Sequence, residues 1–407
     1  MITYRGLYRA FCLLKNKFNL TTYKMISLSA SSEILPCTKI LVEEQQTLEI
    51  PAPRFSGFCA AQASQKNQAI LTRMPRLEIY EFKNVVLIGG VDFILKKDLA
   101  IHHDLFIASA HHMPAEYRGV AAIDHSKNTV KFYLTTKSQA LDNAVNLIGQ
   151  CNGNYAHWLT ETLPKLALLD AQDRYADFPL VVDDGLHENI YRSLEQINQK
   201  RRAIIKIGRW NRLTVANCVT VSHTGYERYA PHGLRSVEPP AFVNIFSRLA
   251  LRALREVALQ GLHEKTTNKH RIYLARNKTS GNIRHVENRT AIDAVIEANN
   301  INFIHPDSMT FMEQVFSCKD ATVIIAPVGA ALANMIFAPP GCTIIALAPY
   351  YDQASYFYYS NLSGALGHTI HYVLGQQASD KQHPIHRNYT IDPETLSAVI
   401  KRVMSLE

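Results

Sequence analysis

The stretch TVIIAPVGAALANMIFAPPGCTIIALA, residues 322–348, decides the fold. An apolar run, TVIIA, breaks at Pro327 and Gly329, gives way to small residues through Phe337, and returns after the PPG turn as a second apolar run, CTIIALA. Continuous apolar strands are what a parallel sheet needs when helices cover both of its faces. Strand, small-residue helix and strand therefore read as a βαβ unit. Gly329, at the turn, lets backbone N–H groups come close to an anion at the helix start.

The same rhythm extends in both directions. Upstream lie strand RIYLA (271–275), a helix over 290–299, strand INFIH (301–305) and a helix over 309–318; downstream lie an aromatic helix near 352–364, strand HTIHYVL (368–374) and a terminal helix from about Pro393. A second alternation starts after Asn143: AVNLIGQ as strand, His157 to Ala171 as helix, FPLVVDD as strand, Glu188 to Asn198 as helix, then RAIIKI and LTVANCVTVS as strands. Before it, from about Leu77 to Leu134, short β-like runs follow one another with little helical periodicity. The pattern predicts an α/β protein with two Rossmann-like doubly wound halves facing a cleft, and a small N-terminal β-rich segment. The expected division is a leader and irregular segment over 1–74, the β-rich segment with the first α/β half over 75–240, and the second half over 241–407. A long amphipathic helix from about Ala241 to Leu262 opens the second half. No internal repeat or low-complexity tract interrupts this organisation.

Composition limits the function classes. A chain of 407 residues, 47% hydrophobic and 19% charged, is folded and too long for a single core. Its formal charge of +8 suits an anionic partner such as a nucleotide diphosphate, an acidic glycan or a lipid headgroup surface. The basic residues are dispersed and no recognition module appears, so nucleic acid is not expected. Seven cysteines scattered without CxxC spacing fit reduced thiols in a cytoplasmic compartment. The start, MITYRGLYRAFCLLKNKFNL, has no uncharged run long enough for a membrane span. It reads either as a basic amphipathic helix at the inner face of a membrane or as a leader before a start at Met25.

Ligands of paired α/β halves bind at the carboxyl ends of strands. Arg276 follows strand RIYLA, and the loop after it carries Lys278, Arg284 and His285. Two guanidiniums there can clamp a diphosphate and neutralise a departing nucleotide without a metal ion. Asn288 reads as a helix cap or a ligand contact, and Ala330 keeps the turn after Gly329 narrow. Asn334, flanked by apolar residues, is expected to bond a ribose or base. In the first half, NYAHWLTETLPKL (154–166) sets His157, Glu161 and Lys165 at i, i+4 and i+8 on one face. His157 and Glu161 are the acid/base candidates, either of them able to act as the base, and a purely structural buried pair is the alternative. Pro164 should kink or break this helix, and Asn154 should cap it. The His102–His103 and His111–His112 pairs carry no nearby carboxylate cluster, so adjacent residues on opposite strand faces explain them better than metal binding does. Asp183–Asp184, before Gly185, reads as a turn, and the tyrosines of YYDQASYFYYS as core packing or as a lining of the cleft.

The motifs NYAHWLTETLPKL, RIYLARNKTSGNIRHVEN and VGAALANMIFAPPG, in that order, resemble the signature of glycosyltransferase family 61, the DUF563 group that includes capsular-polysaccharide biosynthesis proteins. The resemblance covers roughly residues 145 to 350. It implies a GT-B fold and inverting, metal-independent transfer from a nucleotide sugar, commonly a UDP-sugar, to a glycan or glycolipid acceptor, with no cofactor. It matches Asn154, His157, Trp158, Glu161 and Pro164 in the first motif, Arg276, Arg284 and Asn288 in the second, and Gly329, Ala330, Leu332, Asn334, Phe337, Pro340 and Gly341 in the third. By this resemblance His157 and Glu161 are catalytic, and Arg276, Arg284, Asn288, Gly329, Ala330 and Asn334 bind the donor. Val328 stands where the family often has His, and Ala346 where it often has Glu. Those two departures keep open a glycan- or nucleotide-binding protein with a degenerate catalytic site.

Overall fold

The computed structural model describes residues 21–106, 117, 119–227, 244–262, 270–276, 284–352, 354–379 and 384–406. The leader over residues 1–20, the His111–His112 pair and Lys278 lie outside them. Two large sheets organise the chain.

In the C-terminal sheet the strands Asn302–Ile304, His270–Leu274, Ala321–Pro327, Thr343–Tyr350 and Thr369–Gln377 lie side by side, all parallel. In chain order this is 2-1-3-4-5, so the direction of winding reverses between His270–Leu274 and Ala321–Pro327 and opens a crevice at their carboxyl ends. The predicted βαβ rhythm holds here, and burial shows why the strands read as continuous apolar runs. Ile272, Leu274, Ile324 and Ile344 face one core, while Tyr273, Val323, Ile325, Ile345 and Leu347 face another. The second core is closed by Ile292 and Ile296 of helix Arg289–Ala298 and by Leu396, Val399 and Ile400 of helix Pro393–Ser405. Each strand is sandwiched, so neither alternate set of side chains is polar.

The N-terminal sheet is mixed and has 11 strands among the described residues. Its parallel part runs Ile204–Ile207, Leu180–Asp183, Ser138–Asn146 and Arg212–Val221. Arg212–Val221 then pairs antiparallel with the long strand Leu77–Ile88, which leads into the short strands expected before residue 134. The β-rich segment is thus continuous with the α/β half rather than a separate module. Residues 22–74, expected to be irregular, are largely regular: they include strands Thr22–Ser27 and Cys37–Glu43 in the mixed sheet and the antiparallel pair Gln46–Ile50 with Ile70–Met74. Strand Arg54–Gly57 crosses over to become a parallel edge strand beside Thr369–Gln377. At Gly57, a φ of 91° and a Cβ position only 2.4 Å from the Leu374 carbonyl oxygen allow no side chain.

One core fills the space between the two sheets. It joins Trp158, Leu159, Leu163 and Leu166 of the first half to Leu332, Met335, Ile336 and Phe337 of the second. Helix Arg248–Leu259, expected to open the second half, contributes Leu251 and Leu254 to this shared core and packs on helix Leu163–Leu169. Among the described residues no helix is long and apolar enough to cross a membrane.

Candidate active site

The site begins with a strained helix. Asn154 caps it as predicted, its side chain accepting from the Ala156 N–H at 3.0 Å. One turn on, the helix widens: Trp158–Thr162 is a π turn, in which the Leu163 N–H reaches back to the Trp158 carbonyl. Pro164 accounts for the widening, since it has no N–H to offer the carbonyl of Thr160 four residues earlier. Thr224 fills that gap. Its hydroxyl lies 3.2 Å from the Thr160 carbonyl oxygen and 3.1 Å from that of Glu161. Strand Gly225–Tyr226 sits so close that a Cβ at Gly225 would lie 2.9 Å from the Thr160 oxygen. The kink predicted at Pro164 is therefore a docking point for the chain around residue 225.

That docking brings a residue to the site that its sequence position did not reveal. His157 Nδ1 bonds Glu161 Oε1 at 2.8 Å, as the i, i+4 spacing predicts, while His157 Nε2 lies 3.0 Å from Glu227 Oε2. The Glu227 backbone N–H also donates to Glu161 Oε1 at 3.2 Å. The imidazole is buried, and burial alone would lower its pKa. The charge and hydrogen bond of Glu161, together with the hydrogen bond of Glu227, overcome that and hold it well above the usual histidine value. With both ring nitrogens facing carboxylates, His157 offers no free lone pair for a proton. Among the three groups Glu227 has the most exposed side chain, 26% against 9% for Glu161 and 5% for His157. In the sequence its only signal is its place just past the end of strand Arg212–Val221, beside His223 and Thr224.

The second half supplies a cationic wall. A cleft of about 380 Å³ opens at the winding reversal, lined by Asn154 and Tyr155 from the first half and by Arg276, Asp307, Gly329 and Ala330 from the second. Arg276 Nη1 and Arg284 Nη2 bond the same carbonyl oxygen, that of Val328, at 3.4 and 3.0 Å. Burial, and next the neighbouring Arg284 charge, lower the Arg276 pKa, the mark of two guanidiniums crowded at one spot. A Cβ on Gly329 would stand 3.1 Å from Arg276 Nη1, and its φ of 168° is ordinary extended backbone. An alanine there would push the guanidinium back by a few tenths of an ångström. The segment that follows, Ala330–Phe337, is a 3-10 helix rather than the α-helix expected.

Two tyrosines join these walls. Tyr359 donates to the Gly329 carbonyl at 2.6 Å and packs edge-on against Tyr358. The Tyr358 hydroxyl lies 3.1 Å from Thr160 Oγ1, and its ring 6.0 Å from that of His157.

Other predicted site residues lie elsewhere. The Asn334 amide, expected at a ribose or base, is buried and occupied: its oxygen accepts from the Tyr155 hydroxyl at 3.2 Å and its nitrogen donates to Gln314 at 2.8 Å. It ties the two halves together behind the cleft. Asn288 uses both ends of its amide on the backbone of Ile391, at 2.7 and 3.1 Å, and makes no cap bond. Lys165 turns toward His223 Nδ1 at 3.3 Å, and burial pulls its pKa down to about 8. Asp183 holds the N–H groups of Gly90 and Gly149 and the Asn152 amide, a loop-tying role. His103 departs from expectation, because a carboxylate does lie beside it: Asp92 Oδ2 is 3.6 Å from its Nε2.

The cleft thus has two basic side chains on one wall and, along the helix of the other, a buried histidine held by two carboxylates. Residues 155–345 match the family model described as Glycosyltransferase 61, a similarity that supports glycosyl transfer as the class of chemistry. No curated protein matches the chain.

Proposed function

We propose that the chain is an inverting, metal-independent glycosyltransferase with a GT-B-like arrangement, moving a sugar from a nucleotide-sugar, in our reading a UDP-sugar, to a glycan or glycolipid acceptor of a surface polysaccharide at the cytoplasmic side of a membrane. The observation that carries this reading is the pair of guanidiniums at Gly329, in a cleft whose other wall begins the helix of His157 and Glu161, with Glu227 bonded to His157. The acceptor hydroxyl attacks the anomeric carbon as the bond to the diphosphate breaks. Its proton passes to a carboxylate, and Glu227 is the better placed because it is the more exposed. Glu161 and the charged His157 hold that carboxylate in position. Arg276 and Arg284 receive the diphosphate charge that a metal ion would otherwise neutralise.

Thermal stability of the purified chain against UDP, GDP, CMP and dTDP tests the reading. A nucleotide at 100 times its dissociation constant stabilises by about 2.7 kcal/mol. Stabilisation by UDP that Arg276→Ala removes supports it, and no response to any nucleotide overturns it. A binding-only protein is the second reading, favoured by Val328, which gives the site a carbonyl and no polar side chain. Donor binding with no transfer to any acceptor would establish it.

A further inference from the structure

We propose a divalent-metal site, of zinc type, formed by Asp92, His103 and His223 in the N-terminal half. The three residues come from different strand ends: Asp92 follows Leu77–Ile88 and its turn, His103 follows Leu99–His102, and His223 follows Arg212–Val221. Asp92 Oδ2 lies 3.6 Å from His103 Nε2 and 3.2 Å from His223 Nε2, and the ligand atoms all fall within 4.8 Å of one another. Zinc bonds of about 2.0–2.1 Å at tetrahedral angles set ligand atoms about 3.3 Å apart, so two edges of the site already have that spacing. The two imidazole rings are stacked with centroids 3.8 Å apart, so one ring tilts out of the stack for both in-plane lone pairs to meet at one ion.

Burial makes an idle cluster a poor explanation. The side chains of Asp92, His103 and His223 are 5%, 3% and 10% exposed. Asp92 Oδ2 and both ring nitrogens of His103 make no hydrogen bond among the described residues. Buried polar atoms are rarely left so. The space they border is about 20 Å³, room for one ion or one water, and Ile94, Ile101 and Ile148 also line it. Lys165 approaches His223 from Nδ1, on the ring edge away from Asp92, and so leaves Nε2 to the ion. Two imidazoles and one carboxylate, with a water in the fourth position, make a zinc-type ligand set.

The role proposed for the ion is to hold the chain in place, and it does not rest on the transferase reading. His223 is followed directly by Thr224, whose hydroxyl holds the π turn, and three residues later by Glu227. An ion at His223 would fix the strand end that carries Glu227 to His157.

The test uses the full chain with any affinity tag removed. It is stripped with chelator and then titrated with cobalt and with zinc. We expect one ion per chain, a visible cobalt absorption of tetrahedral nitrogen and oxygen ligation without thiolate bands, and a saturable rise in melting temperature with zinc. His103→Gln should abolish the cobalt absorption, and His103→Cys should restore it with a thiolate band added. A folded wild-type chain that takes up no cobalt or zinc above background overturns the proposal, as does an absorption that His103→Gln leaves unchanged.

Discussion

His157, on the helix that carries Lys165, and His223, bonded to Lys165, are 5% and 10% exposed in their side chains, yet their surroundings drive their pKa values in opposite directions. Burial pushes both toward the neutral form. At His157 two carboxylates, at 2.8 and 3.0 Å, reverse that effect. At His223 burial acts together with the Lys165 charge, and the Asp92 carboxylate at 3.2 Å is shared with His103. The difference teaches that depth alone does not set a histidine's role. The ratio of carboxylates to cations around the ring does, and in this molecule it separates a charged group beside the cleft from a neutral pair suited to hold a metal ion.

The largest contrast is in protonation itself. Nuclear magnetic resonance of the histidine rings should find His157 charged at pH 7, and a neutral ring there would break the comparison. Its raised folded pKa means that it contributes stability fully below about pH 6.5, the unfolded value, and loses that contribution as pH rises through the folded value. The destabilisation caused by His157→Gln, measured by urea unfolding, should therefore shrink as pH is raised. A destabilisation that grows with pH would contradict the two-carboxylate account.

Next in size is turnover. Glu227→Gln and Glu161→Gln should each lower it by about 10²–10⁴-fold while nucleotide stabilisation persists. A fully active Glu227→Gln would return the proton-accepting role to Glu161. Arg276→Ala should abolish the nucleotide-induced stabilisation of about 2.7 kcal/mol at saturating ligand, because the other cation, Arg284, would face the diphosphate alone. Thr224→Val should cost about 1–3 kcal/mol of unfolding free energy, since the Thr160 and Glu161 carbonyls lose their donor. If stability is unchanged, the π turn does not need this support. The smallest effect is expected from Gly329→Ala: nucleotide affinity weaker by a few-fold from the contact with Arg276, with the melting temperature of the free protein unaffected.

Some of the site was legible because its contacts are local. The His157–Glu161 pair follows from helical spacing, the Asn154 cap from residue type, and the placement of Arg276 and Gly329 from their positions after apolar strands. Pro164 announced a distortion, although not that a π turn would absorb it or that Thr224 would supply the missing donor. The partners of Asn334 were not legible, because Tyr155 and Gln314 are 179 and 20 residues away. His103 was dismissed for want of a carboxylate, and Asp92 reaches it only through strand pairing.

By itself the sequence determined the α/β rhythm, the doubly buried C-terminal strands and the cationic turn at Gly329. Those depend on periodicity and on residue types a few positions apart, which the chain carries wherever it folds. Tertiary structure alone decided that Arg54–Gly57 joins the far sheet, that Glu227 becomes the second carboxylate of His157, and that Asp92, His103 and His223 meet. Each of these joins residues whose separation along the chain leaves no periodic trace. Their encounter is fixed by sheet register and by the close packing of a core common to both halves.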